Sequence, residues 1–184
     1  MANCTSYTLS GLNAGCKDSV GGVAKIWLAD QSAVVWTITK TTDPSTGAIT
    51  NATAKPDATS AFKVYNLRRG AASMTSTLTV NDNAGSYFTT EIAINFLKME
   101  TSKRLEVMAM LMGQTTGIVK DNNGKDWAVG VNNPLEGSAG TGETGTAAGD
   151  ANQYTVTISV DEPELPYEIT DASTLSALEA ITLV

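Results

Sequence analysis

Two stretches separated by a short polar break, Ser73 to Val80 and Phe88 to Phe96, carry the pattern that most restricts this chain. In the first, Met74, Ser76, Leu78 and Val80 alternate with Ser73, Thr75, Thr77 and Thr79. In the second, Phe88, Thr90, Ile92, Ile94 and Phe96 alternate with Thr89, Glu91, Ala93 and Asn95. Successive side chains on a strand point to opposite faces, so this period-two repeat reads as a β-hairpin with one apolar and one hydroxyl-rich face. A slip of one residue would move every apolar side chain into water, which fixes the register. The turn falls at Asn81-Asp-Asn-Ala-Gly85.

A second hairpin is expected over Gly117 to Val131, turning at Asn123-Gly124, a dipeptide that accepts positive φ in a tight turn. The glycine- and threonine-rich segment Gly137 to Asp150 reads as a flexible loop. It leads into a further strand in which Tyr154, Val156, Ile158 and Val160 alternate with Thr155, Thr157 and Ser159. The acidic, proline-containing run Asp161-Glu-Pro-Glu-Leu-Pro166 ends that strand and is expected to form a solvated lip.

Upstream, Val23 to Ala29 and Ala33 to Lys40 read as strands joined by Asp30-Gln31-Ser32, with Trp27 and Trp36 as core residues. Thr41 to Ser60 is poor in apolar residues and reads as a long surface loop with a short strand at Ala48-Ile-Thr50. Ala61 to Asn66 is a strand, and Arg68-Arg69 a solvated turn or an ion-pairing site.

Between Lys98 and Met112 the period changes. Leu105, Met108, Ala109 and Met112 fall at helical spacing, Glu100 precedes Arg104 by one turn, and Gly113 follows as a stop. Val107, Met110 and Leu111 widen the apolar surface beyond one stripe, so this helix must be covered on two sides. These three residues are the expected contact with a neighbouring subunit. The apolar C-terminal residues, Leu175, Leu178 and Ile181 among them, should dock on their own domain or on a neighbour.

Composition bears on function by exclusion. The chain has no histidine, which removes the commonest general base and the commonest zinc ligand together. Its two cysteines, Cys4 and Cys16, fall short of a zinc site and of a disulfide scaffold, and read as free, partly buried thiols ahead of a single disulfide between them. Twelve basic against 19 acidic residues leave a net charge of −7, which argues against tight nucleic-acid binding. No signal-peptide core follows Met1 and no apolar run has bilayer length, so a soluble, cytoplasmically made chain without membrane binding is expected.

Gly140-Thr-Gly-Glu-Thr-Gly145 matches the dinucleotide-binding pattern, but that chemistry needs a helix N-terminus after the glycines, and here a strand follows. Asp121-Asn-Asn-Gly124 lacks the spacing and final glutamate of a calcium loop. No nucleophile has a histidine partner. The chain reads as a non-enzyme with no cofactor and no metal.

The Asp121-Asn-Asn-Gly-Lys125 hairpin, the Gly140-Thr-Gly142 segment running to Gly149-Asp150, the strand Tyr154-Thr-Val-Thr-Ile158 and the acidic proline run together resemble bacteriophage major tail tube proteins. Gly15-Cys-Lys-Asp-Ser-Val-Gly-Gly-Val-Ala-Lys-Ile-Trp-Leu28 resembles the N-terminal region of the same family. The resemblance implies a virion protein, made in the host cytoplasm, whose copies form rings, usually hexameric. Those rings stack into a tube that holds the tape measure protein, joins other tail proteins and passes double-stranded DNA. On that reading Thr75, Thr77, Thr79, Thr89 and Glu91 line the channel. An isolated β-sandwich binding module, such as a virion decoration or adhesin domain, is the alternative class.

The expected architecture is α+β, mainly β: an antiparallel barrel or sandwich of about seven to nine strands with one flanking helix. Its expected parts are an arm over residues 1–22, a tube domain over 23–164 with loop 41–60 and helix 98–112, and a C-terminal arm over 165–184.

Overall fold

The segment VAKIWLAD, strand β1 (Val23–Asp30), is apolar on both sides, and the fold is built around that property. Ile26 and Leu28 enter one buried cluster, Trp27 and Ala29 another. In a strand this is possible only when layers cover both faces of the sheet. The computed structural model describes residues 19–45, 47–81 and 85–182. The Cys4 and Cys16 segment and the centre of the 81–85 turn lie outside the described residues.

Ten further strands and two helices follow among the described residues. They are β2 (Trp36–Thr42), β3 (Ile49–Pro56), β4 (Lys63–Asn66), β5 (Ala72–Asn81), β6 (Gly85–Leu97), α1 (Thr101–Met112), β7 (Thr115–Asp121), β8 (Asp126–Val129), β9 (Glu136–Glu143), β10 (Gln153–Glu162), β11 (Tyr167–Glu168) and α2 (Ala172–Glu179). A seven-stranded sheet runs β2-β3-β11-β8-β7-β1-β4 and a four-stranded sheet runs β5-β6-β10-β9. All pairings are antiparallel except that of β11 with β3. The chain is therefore an α+β, mainly β sandwich, with more strands than the sequence pattern counts and a second helix.

The two sheets meet over the first cluster, where Ile26, Leu28, Val119 and Val129 face Ile92, Ile94, Val156 and Ile158. On the other side of the larger sheet, α2 and Phe62 close the second cluster. The C-terminal segment is thus no arm. β11 pairs with both β3 and β8, and the Trp27 indole N–H donates to the Leu178 carbonyl at 3.2 Å. Glu179 bridges Lys25 and Lys120 at 2.5 and 2.6 Å, and Asp171 caps α2 by accepting from the Thr174 N–H at 2.9 Å. Of the two docking places open to the apolar C-terminus, residues up to 182 take their own domain.

Two expected loops are strands. Most of the 41–60 segment belongs to the β2–β3 hairpin, whose register runs from Trp36 opposite Pro56 to Thr42 opposite Ile49. Its inward residues, Ala52 and Ala54, are small because Trp36 and Phe62 fill the space, their rings meeting edge to face at 6.1 Å. Half of the 137–150 segment is β9, paired with β10 from Ser159 opposite Glu136 to Gln153 opposite Glu143. Its inward positions are glycines because α1 lies against them. A Cβ on Gly137 would sit 2.5 Å from the Leu111 carbonyl oxygen, and one on Gly140 would sit 2.4 Å from Leu111 Cδ1.

The acidic lip is also corrected at Glu162, which is 2% exposed. Its Oε1 accepts the backbone N–H groups of Val131 and Asn132 at 2.8 and 2.9 Å, tying the loop after β8 to the end of β10. Burial raises its pKa above the ordinary carboxyl value, against the opposing pull of those N–H donors.

Gly137→Ala should lower unfolding free energy by about 1–3 kcal/mol through overpacking against backbone. Gly149→Ala, with open space around it, should stay within about 0.5 kcal/mol, and urea denaturation measures both. For Glu162 the folded pKa lies above the unfolded one, so its stabilisation is complete below the unfolded value and is lost as pH rises through the folded value. Glu162→Gln should lack that loss. Denaturation of the two proteins at stepped pH should show them diverge as pH rises above the unfolded carboxyl value, the wild type losing stability relative to the variant.

Candidate functional site

Register in the smaller sheet gathers the five residues expected to line a channel onto one face. Thr75 stands opposite Glu91, Thr77 opposite Thr89 and Thr79 opposite Tyr87. Thr75, Thr77 and Glu91 are exposed, Thr79 and Thr89 half-buried. The opposite side of the same strands carries Ile92, Ile94, Val156 and Ile158 into the core, so the hydroxyl-rich face points outward.

That face extends past the hairpin that the sequence singles out. Glu91 continues to Ser159 and then Glu136, Ala93 to Thr157 and Ala139, Asn95 to Thr155 and Thr141. Thr89 pairs with Asp161 and donates its hydroxyl to the carboxylate at 2.6 Å. Gln153 donates to Glu143 at 2.8 Å. The charged side chains of the face are Glu91, Glu136, Glu143 and Asp161, and none of its four strands contains a lysine or arginine. The β10 half of this surface was visible in the sequence as the Thr155, Thr157 and Ser159 alternation. The β9 part was hidden, because its inward residues are glycines and carry no hydrophobic signal.

Of the three α1 residues expected at a subunit contact, two are core residues of this chain. Val107 and Met110 are buried in the first core cluster, Met110 at 2% exposure, and Leu111 packs on the β9 glycines. The open apolar side of α1 is Leu105, Met108 and Met112, exposed by 60%, 41% and 79%. Both triplets have helical spacing, and only the positions of β9 and β10 decide which one is covered. The Glu100–Arg104 side-chain pair is replaced by bridges from Glu100 to Lys98 and Lys103 at 2.6 and 3.2 Å. A shallow groove of about 320 Å³ runs between α1 and β9, lined by Met99, Met108, Leu111, Gly140, Gly142 and Tyr154.

The sheet ends in two open edges of unequal character to those of its partner sheet. β5 pairs with β6 over ten residues without a register shift and contains no charge and no proline. Near the hairpin end its core-side residues run out of cover, leaving Leu78 51% and Val80 66% exposed. In the larger sheet the edges are marked by lysine: Lys40 on β2, which pairs with Glu164, and Lys63 on the four-residue β4. Comparison with protein-family models, with curated proteins and with solved structures returns no match.

Met110→Ala should therefore cost about 2–5 kcal/mol of folding stability, the range for truncating a buried methionine. Met108→Ala on the open side should change it by less than about 0.5 kcal/mol. Equal losses in a urea titration would contradict the orientation of α1.

Proposed function

We propose that this chain is a structural virion subunit whose copies close into rings, hexameric in the family its sequence resembles, and that the rings stack into a phage tail tube conducting the genome. The observation that carries the reading is the outward face of the four-stranded sheet: hydroxyls, four carboxylates and no cation. Duplex DNA carries about one negative charge per 1.7 Å of axis and is held by cationic surfaces, which displace its condensed counterions into solution. A wall without cations leaves it hydrated and free to slide.

The β5 edge supports the same reading, while the β9 edge carries Glu136, Glu143 and a bulge. Long, regular, uncharged edge strands are templates for pairing, and proteins that stay monomeric blunt them with charge, proline or bulges. The four strands alternate in direction, so β9 of one copy beside β5 of the next continues the antiparallel order. Their positions along the strands differ. β5 spans β6 from Ile94 to Gly85, whereas β9 projects through β10 onto Glu91 to Leu97. Full pairing thus needs a displacement of roughly four to five residues per copy, and a barrel staggered by one residue per strand supplies about four for a four-stranded unit. An isolated β-sandwich binding module accounts for the hairpins but gives no reason for the bare β5 edge.

The partners on this reading are further copies, the tape measure protein, other tail proteins and transiently DNA. Negative-stain microscopy of the purified protein should show rings or tubes, and monomers alone at high concentration would overturn the proposal. Thr77→Lys with Thr89→Lys should leave the fold and ring intact while slowing DNA ejection from otherwise normal particles. The slowing should be larger at low salt, where the cationic collar is less screened. Ejection at the wild-type rate at two salt concentrations would remove this face from the channel.

A further inference from the structure

We infer that Leu78 of a second copy of this chain packs at the end of the groove between α1 and β9, where Leu111 crosses Gly137. This rests on the ring reading and adds the contact that would lock neighbouring copies together. Among the described residues both halves are open and largely apolar, the groove lining also including Arg104 and Thr141. Leu78 and Val80 lie on the core side of the β5 edge, beyond the reach of the larger sheet's cover. Met108 and the groove residues Met99, Leu111, Gly140, Gly142 and Tyr154 lie on the same side of the sheet at the opposite edge.

Register brings them level. Leu78 stands in the row of Phe88, and Gly137 and Gly140 in the rows of Ile92 and Ile94. The displacement of roughly four to five residues that pairs β5 fully with a neighbour's β9 leaves Val80 just short of the start of β9 and moves Leu78 up to the row of Gly137, with Gly140 two rows further along. There the missing Cβ atoms leave the Leu111 side chain and the flank of α1 as the wall it meets. A flexible methionine rim suits such a contact, because thioethers adapt to the shape that enters. The occupant is a second copy rather than an unrelated peptide, because the complementary ridge and the groove sit on the two edges that one antiparallel repeat joins.

The test uses the full chain with Cys4→Ser and Cys16→Ser, so that introduced thiols are alone. Leu78→Cys combined with Met108→Cys, treated with a short bifunctional maleimide, should give a denaturing-gel ladder rising to the ring size. Either substitution alone should remain monomeric on the gel. Rings seen by microscopy without a ladder would overturn this contact and leave the ring reading standing. Products stopping at dimers would mean a two-fold contact and would overturn it as well. No assembly in the cysteine-free parent would overturn both. Independently, Leu78→Lys should keep its circular dichroism, since the site is half exposed, and raise the concentration needed for assembly about tenfold or more, the factor expected from losing one buried leucine. An unchanged assembly concentration in that folded variant would overturn the proposal.

Discussion

Everything in this fold depends on β1 and its neighbour β7 being buried on both faces. Ile26, Leu28 and Val119 hold the four-stranded sheet, while Trp27, Ala29 and Ile118 hold α2 and the Phe62 cluster. A sheet with one wet face needs one covering layer; this one needs two. The covers come from distant parts of the sequence, the smaller sheet from the middle of the chain and α2 from its end. The polar ties reinforce the same demand, since Lys25, Lys120 and the Trp27 indole all reach α2 from the larger sheet. These partly exposed ion pairs contribute little each, and apolar burial does most of the holding.

The second constraint is the closeness of α1 to β9. Helices usually stand off a sheet by the length of their side chains, but here Leu111 meets backbone at Gly137. This lets the helix lie flat at the sheet margin, with Val107 and Met110 inserted between the sheets and Leu105, Met108 and Met112 left open. An apolar outer side on an otherwise well-packed helix is costly in water for an isolated chain.

Legibility from sequence followed one physical rule: an element is visible when its buried positions are large. Ile92, Ile94, Val156 and Ile158 announce their strands, and the Asn123-Gly124 turn announces its hairpin, with Gly124 at φ +80°. β9 was hidden because its inward positions are glycine, and β3 was legible only at its start, Ala48-Ile-Thr50, because its later inward positions are alanine. Glycine has two meanings that a sequence does not separate. At Gly145, with φ +69°, it permits a turn; at Gly137 and Gly140 it permits contact. The two-residue β11 has no periodicity to read at all. The hydroxyl face of β5 and β6 was legible residue by residue, whereas the faces of α1 were not, because both its triplets satisfy the helical period and only tertiary neighbours choose between them.

The unguarded β5 edge has a kinetic side. A joint made between two different edges of the same unit has no built-in end point: each addition exposes a fresh edge identical to the one it consumed. Such growth stops only if accumulated rotation returns the last unit to the first; otherwise it yields spirals or filaments. The twist of a four-stranded sheet would then act as a counter, setting how many units make a turn. Small changes in that twist, from a bulge such as the one opposite Thr157 and Ile158, would alter the number of units per turn rather than the strength of any single joint.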